Sequence, residues 1–344
     1  MGMSLITGID IGRHSIKAVV VKPEKQQCTI VGFHELPVSE AVFSDNYTLN
    51  YQDSVNKLKD LKKKLPWFSH RAAIAIPDSA VISKILQIDA TVETLEQEFA
   101  IHQAFSYQSP FPIEELCLDY VPVNSVLANN TQIVYAKDAH EQHHGVSSHS
   151  MHAFQVYATK RDVVETRQKA AQKAGFKPQV MDIHGHALLN IFLLAINQYQ
   201  RPKWLLVDIG YSQTTLCMVG ESLLYKNIAL GTQSIERGER EERTSYKFIE
   251  LLGQKLQRQI QMLSITPERD IDGIWLTGGG ANLPLIDEQL CHALNLPCET
   301  LSPFALCAAK RKLSARISDG NHQFAVALGV ALGACLQEGE NHAF

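Results

Sequence analysis

No two cysteines in this 344-residue chain stand at the C-x-x-C spacing of a metal knuckle or a redox motif. The seven that are present, Cys28, Cys117, Cys217, Cys291, Cys298, Cys307 and Cys335, are scattered and odd in number. They read as reduced thiols and not as a disulfide framework. Basic charge is not in excess either. Lys and Arg total 32 against 36 Asp and Glu, a net charge of -4, which excludes the usual profile of a general nucleic-acid binder. Long hydrophobic runs are lacking. The longest covers residues 324–336 and is broken by Gly329 and Gly333, whereas a bilayer span needs roughly 20 residues. Residues 1–8 carry no basic segment, so no secretory leader is expected. Residues 337–344 are polar and acidic and make no basic amphipathic anchor. Work at a membrane would need a tether from another molecule. Two phosphate-binding signatures are also missing, the G-x-x-x-x-G-K-[ST] loop and the G-x-G-x-x-G fingerprint.

What the chain does contain is one short pattern used twice. Gly8-Ile9-Asp10-Ile11-Gly12-Arg13-His14-Ser15-Ile16-Lys17 recurs in outline as Leu205-Leu206-Val207-Asp208-Ile209-Gly210-Tyr211-Ser212-Gln213-Thr214-Thr215. Each reads as a strand, a glycine turn, hydroxyl-bearing residues and a second strand. A tight glycine turn presents backbone N–H groups to an anion such as phosphate. The Asp before each turn could hold a hydrated Mg²⁺. Two such hairpins face to face would grip one polyphosphate from both sides. Ser15 and Lys17 are candidate phosphate contacts in the first hairpin. Ser212, Thr214 and Thr215 are candidates in the second. Lys17 fits a solvated strand face equally well.

The apolar pattern places these hairpins in an α/β chain long enough for two or more domains. Strands are predicted at residues 5–10, 16–22, 29–36 and 72–77, with a helix at 51–65 stopped by Pro66. Residues 80–159 read as a small inserted α/β block. It has strands at 81–88, 116–123 and 154–159 and a helix at 92–108, which is expected to present Leu95, Phe99 and Gln103 on one face and to be capped by Thr91 or Thr94. Residues 125–152 read as a mobile loop within it. Its His140, His143, His144, His149 and His152 fit a solvated polar loop better than a metal site, because no cysteine joins them. A helix at 162–174 stopped by Gly175, a strand at 178–182 and an apolar helix at 187–197 follow. The second half repeats the opening with strands at 205–208, 214–219 and 222–228. The segment 232–272 is charged and helical, with an apolar stripe of Phe248, Leu251, Leu252, Leu256, Ile260 and Leu263. A buried strand at 273–277 then leads into Gly278, Gly279, Gly280, Ala281 and Asn282. Consecutive glycines let a backbone approach a flat ring, and adenine with ribose is the natural tenant. Helices at 285–294 and 325–336 close the chain.

Two phosphate hairpins followed by an adenosine loop resemble the actin-like ATPase superfamily. Within it, four stretches resemble the type IV pilus assembly protein PilM family: Ala75-Ile76-Pro77-Asp78-Ser79-Ala80-Val81-Ile82, residues 107–120 around Ser109-Pro110-Phe111-Pro112, residues 156–178, and Val180-Met181-Asp182-Ile183. The resemblance covers nearly the whole chain. It implies a two-lobed actin-like (ribonuclease H-like) fold with an extra subdomain of the kind shared with the division protein FtsA. The first lobe core would be 1–79 and 160–201, the extra subdomain 80–159, the second lobe core 202–231 and 273–344, and an inserted helical subdomain 232–272. ATP with Mg²⁺ would sit in the central cleft on Asp10, Gly12, Ser15, Lys17, Asp208, Gly210, Ser212, Thr214, Thr215, Gly278, Gly279, Gly280 and Asn282, with Asp10 and Asp208 holding the metal through water.

The resemblance also implies a cytoplasmic scaffold at the inner face of the inner membrane. It would bind the N-terminal cytoplasmic peptide of PilN, within a PilN/PilO complex, in a groove between the first subdomain and the extra one. Phe111, Pro112 and Tyr120 are candidate groove residues. Pilus motor ATPases and a second copy of the chain are further partners it implies. The chain departs from the family pattern in places. His184 stands where an acid is usual, Lys226 and Gly231-Thr232 stand after the second hairpin, and Pro284-Leu285-Ile286 follows the adenosine loop. Asp10, Asp182 and Asp208 are the catalytic candidates, and the departures imply ATP that is held more than spent. Two other readings stay open, an FtsA-like filament protein and a small-molecule kinase of the same superfamily. A relative of the secretion component GspL would be expected to carry a membrane-spanning helix.

Overall fold

The computed structural model describes residues 5–24, 28–38, 42–43, 47–123, 151–219, 223–236, 238, 241–263, 271–310, 313, 317 and 320–341. The histidine-rich stretch lies outside them up to residue 150. The chain forms two units, Met1–Asp78 with Thr166–Phe344, and Ser79–Glu165.

In the first unit, strand β1 (Ile6–Ile11) is buried along its whole length. A strand covered on both faces reads as a continuous apolar run, and Ile-Thr-Gly-Ile-Asp-Ile fits that rule with one acid near its end. It pairs antiparallel with β2 (Ser15–Pro23), which pairs antiparallel with β3 (Cys28–Pro37). On its other side it pairs parallel with β4 (Arg71–Ile76), and β4 pairs parallel with β8 (Lys177–Ile183). The short β14 (Ala308–Ala309) closes the β3 edge.

A second sheet repeats this plan. Strand β9 (Trp204–Ile209) takes the place of β1. It is flanked by the antiparallel β10 (Thr214–Val219) and β11 (Leu223–Ile228) on one side. The parallel β12 (Gly273–Thr277) and β13 (Cys298–Thr300) lie on the other. The sequence repeat is therefore a repeat of topology.

Helices α4 (His184–Tyr199) and α7 (Ala325–Asn341) form a layer shared by both sheets. One core cluster joins Ile6, Val19 and Ala73 of the first sheet to Leu206 and Trp275 of the second through Ala187, Ile191, Phe192, Ala327 and Ala331. Small residues make this approach possible. A side chain at Gly8 would strike the Ala327 carbonyl, and one at Gly329 would strike the Ala187 backbone. The far face of the first sheet packs on Val55, Leu58 and Leu61 of α1 (Tyr51–Lys64) and on Ala170 and Ala171 of α3 (Arg161–Lys173). The far face of the second packs on α5 (Glu241–Leu263) and α6 (Ile286–Leu294). Of the predicted α5 stripe, Phe248, Leu252 and Leu256 are buried, Ile260 is partly so and Leu251 is exposed. The Leu263 side chain is outside the description.

The second unit is a three-stranded antiparallel sheet in the order β5 (Val81–Asp89), β7 (Met151–Lys160), β6 (Leu116–Pro122). Helix α2 (Thr94–Ser106) covers one face. Its buried side is Ile101 and Phe105, on Leu86, Ile88, Phe154 and Val156. Leu95 and Phe99, which share the expected face, are 92% and 72% exposed. The helix carries two apolar i, i+4 pairs, and the sheet takes the second. Its N-cap is Glu93, with no side-chain cap. Thr91 is instead bound to Asp89 Oδ1, through its backbone N–H at 2.9 Å and its hydroxyl at 2.8 Å. Among the described residues of the chain, no helix is long and apolar enough to cross a membrane.

Candidate functional site

The two repeats bring their aspartates to equivalent places. Asp10 stands cross-strand from Lys17, and Asp208 stands cross-strand from Thr215. Directly opposed side chains are close enough to interact, so Asp10 faces a cation across its strand pair and Asp208 faces a hydroxyl. Lys17 Nζ lies 3.2 Å from Asp10 Oδ2, and His184 Nε2, from the first turn of α4, lies 3.3 Å from Asp10 Oδ1. Burial pushes the Asp10 carboxyl up, but the Lys17 and His184 charges outweigh it and hold it well below the usual carboxylate range. Asp208 has Thr215, not a cation, across its strand pair, and His184 and Lys17 only partly offset its burial. The Thr215 hydroxyl donates to Asn227 Oδ1 at 2.7 Å. Burial, and then the Asp10 charge, push Asp208 up to about 7.

A third carboxylate joins them. Asp78, just beyond β4, is buried and accepts the Gly185 N–H at 2.8 Å. Burial raises its pKa, partly offset by His184 and the Gly185 N–H. An imidazolium at a helix N-terminus is disfavoured by the helix dipole, and burial also opposes it. The surrounding acids, Asp10 first, nevertheless raise the His184 pKa.

The glycine turns are closed by Gly12 N–H to Ser15 O at 3.0 Å and Gly210 N–H to Gln213 O at 2.9 Å. The tips meet. The rings of His14 and Tyr211 stack with centroids 5.4 Å apart and planes 25° apart. The second turn is also braced by Thr232 N–H to Gly210 O at 3.1 Å and Gln233 N–H to Tyr211 O at 2.8 Å. Gly231-Thr232 thus leads into the segment that supports that turn. Ser15 is buried and donates to Glu35 Oε1 at 2.5 Å. Thr214 donates to Leu230 O at 2.8 Å. Ser212 is half-buried at the second tip.

The three glycines of the third loop do different work. Gly278 has φ 84°, and a side chain there would meet the Ile209 backbone and Asp208. One at Gly280 would strike the Ile209 side chain. Gly279 has open space before it. Two glycines thus seat the loop on the end of β9 and one presents bare backbone. Asn282 Nδ2 donates to Gly279 O at 3.2 Å and to Gln323 Oε1 at 3.4 Å. Gln323 Nε2 donates to Glu35 Oε2 at 3.1 Å. A side-chain chain therefore runs from the first hairpin to the third loop.

Asp182 is placed elsewhere. Its Oδ1 accepts the Ile183 N–H at 2.7 Å and pairs with His186 Nδ1 at 3.0 Å, on β8 and two strands from β1. Sequence reading did not pick Asp78, Glu35 or Gln323 as site residues. The available signal for Asp78 was an acid directly after a third apolar strand, the end at which open α/β sheets bind ligands. In the second unit Phe111 lies under Lys160 Nζ, 4.2 Å from its ring centroid, and Tyr120 meets Phe154 edge-on at 5.8 Å. Pro112 is exposed.

Two sheets of matching topology, each ending its central strand in an aspartate before a glycine hairpin, with a glycine-rich loop on the second, define the actin-like ATPase fold. Within that class the chain belongs to the type IV pilus assembly protein PilM family, whose model matches residues 8–236 and 241–335. A solved PilM-PilN type IV pilus biogenesis complex is similar over 97% of this chain and 98% of that one, at 22% identity and a TM-score of 0.76. The ethanolamine utilization protein EutJ from Carboxydothermus hydrogenoformans is similar over 95% and 89%, at 14% identity and a TM-score of 0.52. A diol dehydratase-reactivating factor in nucleotide-free form covers 97% and 100%, at 10% identity and a TM-score of 0.51. At these identities the likeness to solved structures is one of fold.

Proposed function

We propose that this chain is an ATP-binding scaffold of type IV pilus assembly that captures the N-terminal peptide of a PilN protein. The observation that carries the nucleotide half is the pairing of Asp10 and Asp208 on twin glycine turns whose tips touch through His14 and Tyr211. The residues present fit the ligand. Asp10 Oδ1 is buried and, beyond its ion pair with His184 Nε2 at 3.3 Å, has no hydrogen-bond partner among the described residues, and a metal-bound water would serve it. Among the described residues no three His, Cys, Asp or Glu side chains are placed to ligate a metal directly. Asp10 and Asp208 would therefore hold Mg²⁺ through its waters.

The turn backbone beyond Gly12 and Gly210, whose own N–H groups close the turns, would receive phosphate oxygens, with Lys17 and the Ser212 hydroxyl beside it. Ser15, Thr214 and Thr215 hold the hairpins through their own bonds. Gly278, Gly279, Gly280 and Asn282 would form the nucleoside side, with Gly279 the residue that meets it. Bound Mg²⁺ would supply charge neutralisation for the polyphosphate. His184 on Asp10, where a water-positioning acid would serve hydrolysis, supports holding over turnover.

The peptide half rests on family membership and on the partner present in the PilM-PilN complex. Pro112, with the half-buried Phe111 and Tyr120, is the candidate apolar contact of the second unit, since an extended peptide needs pockets for alternate side chains. Such a partner would recruit the chain to a membrane. The division into lobe cores 1–79 with 160–201 and 202–231 with 273–344, and inserts 80–159 and 232–272, is part of the same reading. Calorimetric titration tests it. Saturable heat is expected with ATP and Mg²⁺ and with a synthetic N-terminal PilN peptide, and an absence of heat from both would overturn it.

A further inference from the structure

The scattered cysteines are not scattered in space. The period of two along β3 puts Cys28 on the same face as Ile30, the face that shares its core cluster with α7. Parallel pairing of Ala308 with Thr29 and of Ala309 with Ile30 continues the register back to Cys307 beside Cys28. On α7, Cys335 lies one turn beyond Ala331, which packs over Gly8 of β1. Cys28, Cys307 and Cys335 are all half-buried against one core cluster. Residues 307 positions apart at their extremes thus share one corner of the first sheet.

The Cys28 and Cys335 thiols are neighbours, each acting on the other's ionisation. We infer that Cys28 and Cys335 form an oxidisable dithiol, with a hydroperoxide as oxidant, that closes into a disulfide between β3 and the C-terminal helix. Their mutual interaction lowers the Cys28 pKa, although burial and Glu24 oppose it, and raises that of Cys335. Cys28 is therefore the nucleophile and Cys335 the resolving thiol. Oxidation-sensitive cysteines have this character: a favoured thiolate, partial exposure and a second thiol within reach. Cys307, pushed up to about 12 mainly by burial, stays a thiol and a bystander. Cys217 is fully buried with its pKa raised, which sets it apart as inert.

The steps balance. The Cys28 thiolate attacks the peroxide oxygen, the O–O bond breaks, and with one proton an alcohol or water leaves, giving a sulfenic acid. The Cys335 sulfur then attacks that of Cys28, the S–O bond breaks, and the thiol proton leaves with hydroxide as water. Two electrons pass from the pair to the peroxide. The new bond would tie α7 to the sheet edge at the end of α7 remote from the twin turns.

The reduced full-length protein, treated with stoichiometric hydrogen peroxide, alkylated and digested without reductant, tests this. A Cys28–Cys335 linked peptide should appear, and alkylation of both residues should fall together, ahead of Cys117, Cys291 and Cys298. In Cys335→Ser the linked peptide should vanish and a dimedone adduct should appear on Cys28. Retention of alkylatable Cys28 and Cys335 while other cysteines oxidise would overturn the inference. So would a Cys28–Cys307 linkage in the wild-type protein. The wild-type digest alone is decisive should the variant fail to fold.

Discussion

Asp10 and Asp208 occupy matching positions in one repeated unit, yet one is held ionised and the other holds a proton near neutral pH. Burial raises both, but Lys17 and His184 outweigh it at Asp10, whereas at Asp208 the Asp10 charge adds to it. Removing the cation in Lys17→Met should destabilise the protein by about 3 kcal/mol at neutral pH, the order of cost of breaking a largely buried pair from one side. Because the Asp10 pKa is depressed on folding, its stabilisation is present above the ordinary carboxylate pKa and is lost as pH falls. The Lys17→Met deficit in urea unfolding should therefore shrink in acid.

Asp208 has the opposite sign. Its folded pKa of about 7 lies above the unfolded value, so the folded state is favoured in acid and loses stability as pH rises toward 7. His184, also raised on folding, adds a loss as pH rises through its own folded pKa. The ligand-free protein should unfold at lower urea at about pH 8 than at about pH 6, and Asp208→Asn should flatten that slope. If Mg²⁺ and ATP bind at this site, Asp208 must ionise. Titrations at pH 7 in buffers of different ionisation enthalpy should then show proton release.

At the scale of elements, glycines separate packing from ligand contact. Gly329 sits where α7 meets the backbone of α4, so Gly329→Ala should cost about 1–3 kcal/mol through overpacking. Gly279 faces open space. Gly279→Ala should leave the urea midpoint within about 0.5 kcal/mol of wild type while weakening nucleotide binding. Equal stability losses in the two variants would deny Gly279 a ligand-facing role. Elements were also what the sequence made most legible. The Asp-Ile-Gly repeat announced two hairpins, and the helix stop at Gly175 matches its φ of 89°. Partners were less legible. That the Ser15 hydroxyl goes to Glu35, or that Gln323 joins Glu35 to Asn282, depends on which strands lie side by side, and no local spacing encodes that. Which face of α2 is buried was not legible either, because a short helix with two apolar pairs, Leu95 with Phe99 and Ile101 with Phe105, offers either to a core, and only the sheet beneath it chooses.

Across the whole molecule, ligand binding should be read through linkage. ATP with Mg²⁺ at a hundredfold excess over its Kd should stabilise the folded state by roughly 2.7 kcal/mol, measured as a rise in the unfolding midpoint. The same rise should fail in Asp10→Asn.

The helix layer of α4 and α7 gives both sheets one continuous interior, from Ile6 and Val19 to Leu206 and Trp275. Neither sheet can expose its inner face without stripping the other. In native-state hydrogen exchange, the central amides of β1 and β9 should therefore open with a common free energy, although their strands lie nearly two hundred residues apart in the chain.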